Sequence, residues 1–158
     1  MKLRILAVAV LSSLGLSTLI DGEGMRTEAY LDGAGVPTIC VGHTKGVKIG
    51  MKVTEYECEV FLRQDLAWSE AAVRRLVKVP VTQHQYDALV LFVFNVGEAQ
   101  FANSTLLRKL NAGDTAGALA EFPKWNKIRN PKTGKLEPSR GLSNRRRMEM
   151  NLFIKESK

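Results

Sequence analysis

The chain opens on an uncharged apolar run. After Lys2 and Arg4, residues 5–20 carry no charge, and 11 of these 16 are Ala, Val, Ile or Leu. The other five are Ser12, Ser13, Gly15, Ser17 and Thr18. As a helix the run spans about 24 Å, short of the roughly 30 Å hydrocarbon core of a bilayer. A basic start followed by an apolar stretch is an export signal. Its small and hydroxylated residues make it a weak membrane span. A cleaved signal peptide, a permanent anchor and a segment inserted and later released all fit it. So does a buried N-terminal core helix. No A-x-A-like cleavage site lies between the run and Asp21.

Past this segment the periodicity changes. Residues 29–49 are rich in Gly, Thr, Val and Ile, with turn signals at Asp32-Gly33 and at Gly46, and read as short strands. Thr54 with Glu57 three residues on is a capping box. It opens a predicted helix over 55–77, with Val60, Phe61, Leu66, Val73, Leu76 and Val77 at helical spacing and Pro80 beyond its end. Thr82 and Gln85 repeat the capping pattern. The segment "YDALVLFVFNVG" that follows is apolar almost all round, as a buried strand or a buried helix would be. The cap, the length and Gly97 favour a central buried helix. "NSTLLRKLNAGD" and "DTAGALAEF" read as shorter helices, capped by Ser104 or Thr105 and by Asp114. "RNPKTGKLEPSRG" reads as a polar loop and "LSNRRRMEMNLFIKE" as a final basic helix. The expected fold class is α+β and mostly α-helical. It has a small N-terminal β-sheet lobe and a helical C-terminal lobe, and a cleft between such lobes is a common place for a binding site.

Composition narrows the partners. A chain of 158 residues is one compact domain by default. Its net charge of +7 suits nucleic acid, anionic lipid or an acidic polymer such as a bacterial cell wall. Zinc-finger spacing, a Gly-rich phosphate loop and basic residues interleaved with aromatics are all missing from the sequence, which argues against nucleic acid. The two cysteines, Cys40 and Cys58, form no CxxC motif, and there are only two histidines, so neither a metal site nor a cofactor is expected. A cysteine pair is compatible with a disulfide in an oxidising compartment.

Glu23, Glu28, Asp32 and Thr38 follow the apolar run. Glycosidic cleavage needs a protonated acid on the leaving oxygen and a second carboxylate across the sugar. Residue types alone make this a weak signal, since most surface carboxylates have no catalytic role. The spacing strengthens it. Glu23, Asp32 and Thr38, separated by eight and five residues, resemble the catalytic pattern of phage-type lysozymes, the endolysins of glycoside hydrolase family 24. "EGMRTEAYLDGAGVPTICVGHT" resembles that family's catalytic block, "DALVLFVFNVG" and "FANSTLLRKLNAGD" its central helix and the next, and "GLSNRR" its C-terminal arginine motif. The resemblance runs from about Leu19 to Phe153.

The resemblance implies a muramidase that cuts between N-acetylmuramic acid and N-acetylglucosamine in peptidoglycan and so lyses the host cell. Glu23 matches the general acid, Asp32 the carboxylate that orients or activates water, and Thr38 the hydroxyl that helps hold that water. It implies inversion, and with it a Glu23–Asp32 carboxyl separation of roughly 6.5–9.5 Å. The motif match puts Arg145 near the acid. Desolvation raises a carboxyl pKa and a neighbouring arginine lowers it, so the sequence leaves the balance open. Asn95, Gly97 and Glu98 are expected to end the central helix, where the family lines its sugar cleft, with Asn95 either binding substrate or capping the helix end. His43 is expected in a structural role, paired with Asp65. Ser104 and Thr105 are expected to cap rather than to bind. Cys40 and Val41 depart from the Gly and Tyr that many members carry. Exported members with Cys here and near Cys58 imply a Cys40–Cys58 disulfide tying the sheet to the first long helix.

The resemblance also assigns the apolar run. Residues 1–20 match a signal-arrest-release (SAR) segment and 21–158 the lysozyme-like catalytic domain. The expected partners are peptidoglycan and, through residues 5–20, the export machinery and cytoplasmic membrane, with the enzyme itself a monomer. An inactive tethered form would precede release to the periplasm. With no cysteine before Cys40, a disulfide switch within the segment is closed, leaving repositioning of the helix as the means of control. A non-catalytic wall-binding relative would be expected to lose one of Glu23, Asp32 and Thr38. A chitin-cleaving enzyme or a lytic transglycosylase is a further alternative. The Glu/Asp/Thr set favours attack by water, because a transglycosylase can work with one carboxylate and no water-positioning partner.

Overall fold

A computed structural model of the protein describes residues 10–156. The Lys2/Arg4 flank and the start of the apolar run lie outside the described residues. The chain forms two compact units. One is Leu16–Trp68; the other joins the described residues up to Gly15 to those from Ser69 onward. Helices α1 (Ser13–Glu23) and α2 (Glu55–Leu76) each begin in one unit and end in the other. Among the described residues no helix is long and apolar enough to cross a membrane.

The Leu16–Trp68 unit is built on an antiparallel pair, β1 (Arg26–Leu31) and β2 (Pro37–Cys40), with Tyr30 opposite Thr38 and Arg26 opposite Cys40. Residues 51–53 run along the other edge of β1, where the Ala29 amide donates to the Met51 carbonyl (3.0 Å) and the Val53 amide to that of Thr27 (2.9 Å). Regular strand is thus shorter than the expected 29–49, because turns take up residues 41–50. One buried apolar cluster is Ile39, Cys40, Val47 and Cys58, with Met25, Ala29, Met51, Val53 and Phe61 packed around it; Leu16, Leu19, Val41, Leu62 and Leu66 are buried in the same unit. The capping box at the start of α2 forms: the Thr54 amide donates to the Glu57 carboxylate (2.7 Å) and the Glu57 amide to Thr54 Oγ1 (3.2 Å).

The second unit is helical. It contains α3 (Gln83–Val96), α4 (Glu98–Ala102), α5 (Thr105–Asn111), α6 (Thr115–Glu121), a 3-10 turn at Phe122–Lys124 and α7 (Arg140–Phe153). The apolar segment after Thr82 is helix α3, with the Thr82/Gln85 capping box complete and Gly97 closing it at φ 94°. Ser104 and Asp114 cap α5 and α6 by accepting from the Leu107 and Gly117 amides. Alternating buried and exposed positions do not occur along α3: Tyr86 through Val93 are all buried. α7 packs on α3, and Phe92 meets Phe101, Phe122 and Trp125 edge-on at centroid distances of 5.1–6.2 Å.

Two expectations are corrected. The segment 127–138 is a hairpin and not a loop: β3 (Lys127–Arg129) pairs antiparallel with β4 (Leu136–Pro138). The Asn130 side chain accepts from the Lys132 amide (2.8 Å) and folds the turn back, a local device that polar composition alone does not reveal. Glu98 does not end the central helix. It is the first residue of α4, because Gly97 stops one helix and starts the next.

Candidate active site

Glu23 is the last residue of α1. The helix stops there because Gly24 takes φ 79°, a conformation open to glycine, and its amide still reaches the Ile20 carbonyl at 2.7 Å. The side chain that follows Ile20 by three residues is therefore carried at a helix end and is solvent-exposed.

Asp32 follows β1 directly and organises the turn to β2. Its Oδ1 accepts from the Ala34 (2.9 Å) and Val36 (2.8 Å) amides. Its backbone is tied down as well, with its amide on the Val36 carbonyl and its carbonyl taking the Gly35 amide. This Asx-type closure explains why an Asp stands at the tip of the hairpin, and it holds the carboxyl group in one orientation. Thr38 is buried on β2 and donates its hydroxyl proton to the Val36 carbonyl (2.9 Å), which turns the lone pairs of Oγ1 away from that bond.

His43 returns the chain to β2 through reciprocal backbone bonds with Ile39, 2.9 Å each way. Its ring lies flat on Phe61, with centroids 4.5 Å apart and planes at 4°, and its Nδ1 is 2.8 Å from Asp65 Oδ2. Both partners come from α2, so the histidine links the loop after β2 to that helix. The Cys40–Cys58 disulfide makes a second link between the same two elements. Cys40 takes φ 61°, the left-handed region that a side chain other than glycine rarely occupies. A glycine would take this backbone without strain, whereas Cys40 takes it with its side chain committed to the disulfide.

Glu23, Asp32, Thr38, His43 and both cysteines thus share the Leu16–Trp68 unit, and Asn95 and Arg145 belong to the other. Asn95 does not cap α3; its Oδ1 accepts from the Arg146 guanidinium at 2.8 Å. Arg145 is half-buried, and desolvation lowers its pKa from the usual guanidinium value, against the opposing charge of Glu149.

The neighbouring pair was not singled out from sequence. Arg146 and Glu149 are almost wholly buried on α7. A terminal guanidinium nitrogen donates to Oε1 at 2.8 Å, while Nε lies 2.8 Å from Oε2 but off hydrogen-bond alignment. Desolvation pushes the Glu149 carboxyl up, against the pull of Arg146. Arg146 also reaches the Trp125 carbonyl (3.3 Å) and covers the Phe92 ring. It thereby joins α7 to α3 and to the turn before β3. The available signal was spacing: Arg146, Glu149, Leu152 and Phe153 recur on the buried stripe of a basic helix. Among the described residues no group of three or more His, Cys, Asp or Glu is arranged to hold a metal.

Comparison with known proteins identifies the family. The phage lysozyme family model matches residues 21–149. An endolysin of Acyrthosiphon pisum secondary endosymbiont phage 1 is 46% identical over 143 residues, covering 90% of this chain and 97% of the relative. A SAR-endolysin of Escherichia phage Mu is 44% identical over 137 residues, covering 86% and 76%. The solved endolysin from Escherichia coli O157:H7 phage FAHEc1 superposes with a TM-score of 0.86 at 38% identity, covering 96% of each chain. The expected α+β, mostly helical lysozyme fold is the fold observed, and with these matches the chain belongs to the phage lysozyme family, as a glycoside hydrolase of the lysozyme class.

Proposed function

We propose that the protein is an endolysin that hydrolyses the β-1,4 bond between N-acetylmuramic acid and N-acetylglucosamine in peptidoglycan. Glu23 protonates the leaving oxygen. Asp32 orients and activates the attacking water, and Thr38 helps to hold it. Attack from the far side of the sugar inverts the anomeric carbon. The observation that carries this reading is Asp32, fixed at the hairpin tip by two backbone amides through Oδ1 while Thr38 stands on the partner strand. A water-positioning carboxylate has to be held rather than mobile. Arg145 and Asn95 are the supporting residues on the helical side, and His43 supports the loop after β2.

Residues 1–20 act in this reading as a SAR segment that tethers the enzyme to the inner membrane, with residues 21–158 as the catalytic domain. The enzyme is held inactive there and is released to the periplasm as a monomer. Glu23 closes helix α1, and α1 begins within the apolar run, so the acid cannot take its place while that run lies in lipid. The relatives named as SAR-endolysins support this.

Digestion of purified peptidoglycan by wild type and Glu23→Gln, with product ends read by mass spectrometry, tests the chemistry. Reducing muramic acid ends made by the wild type alone are expected. Anhydro ends, or equal cleavage by both proteins, refute the assignment.

A further inference from the structure

Asp87 stands in the second turn of α3, in a stretch where every residue from Tyr86 to Val93 is buried, and it is itself fully buried. A carboxylate there needs donors, because an unpaired buried charge is strongly unfavourable. Gln83, one turn earlier, supplies one through Nε2 (2.8 Å to Oδ1). The others come from 75 residues away: the Ser12 amide donates to Oδ1 at 3.0 Å, and the Ser12 hydroxyl donates to Oδ2. Beside it, Glu70 Oε1 accepts from the Leu11 amide and from the Tyr86 hydroxyl. Gln83 Nε2 also reaches the Val10 carbonyl at 3.0 Å. Gly15 fits closely against this group, since a Cβ there would lie 2.8 Å from Asp87 Cγ and 2.7 Å from Leu11 Cδ1.

The amides so engaged belong to the apolar run. If residues 5–20 were one continuous helix, the Leu11 and Ser12 amides would bond to the carbonyls of Ala7 and Val8, four residues back. In lipid they have no other option, because every backbone polar group there must be paired internally. In the folded enzyme α1 starts only at Ser13, and Ser12 caps it by accepting from the Gly15 amide at 3.1 Å. The same two amides cannot serve the lipid-inserted helix and the two carboxylates together.

We infer that Asp87 and Glu70 form a polar socket for residues 10–15, and that they are positioning residues for the reaction. By accepting the Leu11 and Ser12 amides they break the apolar helix at a set place and fix where α1 begins. The far end of α1 carries Glu23. The inference rests on the release reading for the segment's second state, and it adds the receptor within the enzyme.

The test uses the full chain in detergent-free buffer with soluble glycan strands as substrate. Asp87→Ala is expected to lower kcat about tenfold with KM little changed, since it frees the segment without touching the sugar. Amide exchange at Leu11 and Ser12 should quicken alongside. Asp87→Asn keeps an acceptor oxygen of the same reach and should recover most of kcat. Ser12→Thr should likewise outperform Ser12→Ala, and this pair decides the matter if Asp87→Ala does not fold. Wild-type kcat in Ser12→Ala together with unchanged amide exchange overturns the socket. So does an Asp87→Asn variant as impaired as Asp87→Ala. A membrane-fractionation experiment on the wild type before and after depolarisation separates the two ideas. If the protein never enters the membrane fraction the release reading fails, while the kcat and exchange data still decide the socket.

Discussion

In the helical unit Phe92 touches three other rings and the face of a buried guanidinium, whereas the Leu16–Trp68 unit is centred on a small cluster in which two members are the bonded cysteines. One unit has enough apolar surface to be held by packing. In the other, the covalent link sits inside the apolar cluster, and a stacked histidine and hydrogen-bonded turns add to it. The difference follows from what each does. A hairpin that presents Asp32 cannot also bury much apolar surface, so its geometry is fixed by links that need little volume.

The contrast is broken most directly at Phe92. Phe92→Ala should destabilise the protein by about 3–5 kcal/mol in denaturant titration, as a cavity left among rings that cannot collapse. A loss below about 1 kcal/mol would mean that packing does not dominate the helical unit. Removing the staple by Cys40→Ala with Cys58→Ala should be the next largest effect, about 3 kcal/mol for a loop of this size. Native-state amide exchange should show the loss in β1 and β2 before α3. Uniform loss across both units would erase the distinction.

A finer test lies in the backbone of Cys40. Because its φ is 61°, Cys40→Gly with Cys58→Ala should be more stable than the double alanine variant by about 1 kcal/mol. Equal midpoints would show that the left-handed conformation is not a source of strain.

The smallest expected effect is pH-dependent and belongs to the helical unit. Glu121 accepts from Lys109 and Lys124, both at 2.8 Å, and these hydrogen bonds hold its carboxyl below its ordinary pKa. A depressed folded-state pKa contributes stability above the unfolded value of about 4.3, and that contribution fades as pH falls through the folded value. Melting curves from pH 6 to pH 3 should therefore decline less steeply for Glu121→Gln than for wild type. Identical slopes would remove Glu121 from the acid response.

What could be read from the chain was mostly local. Thr54 with Glu57, Thr82 with Gln85, Ser104 and Asp114 all cap helices where their spacing put them, because a cap involves residues three apart. The 127–138 hairpin escaped because its strands are three residues long and fully exposed, leaving no apolar alternation to detect. Arg146 escaped because a basic helix hides one buried arginine among its neighbours. Asp87 escaped because the segment reads as apolar almost all round and its partner Ser12 is 75 residues away, so no short-range pattern names it. In the candidate site, the spacing of Glu23, Asp32 and Thr38 was legible through its resemblance to a family pattern, being short-range in the chain. The amide bonds that fix Asp32 were not.

The left-handed backbone at Cys40 has a bearing on where the enzyme is sound. Oxidised, the residue has a bond that offsets its awkward conformation. Without the bond, the same conformation would have nothing to offset its cost. On the proposed route to the periplasm, the unit that carries Glu23, Asp32 and Thr38 would be weaker before the bond forms than after it. Position 40 thus ties the soundness of that unit to the redox state around it, through one torsion angle.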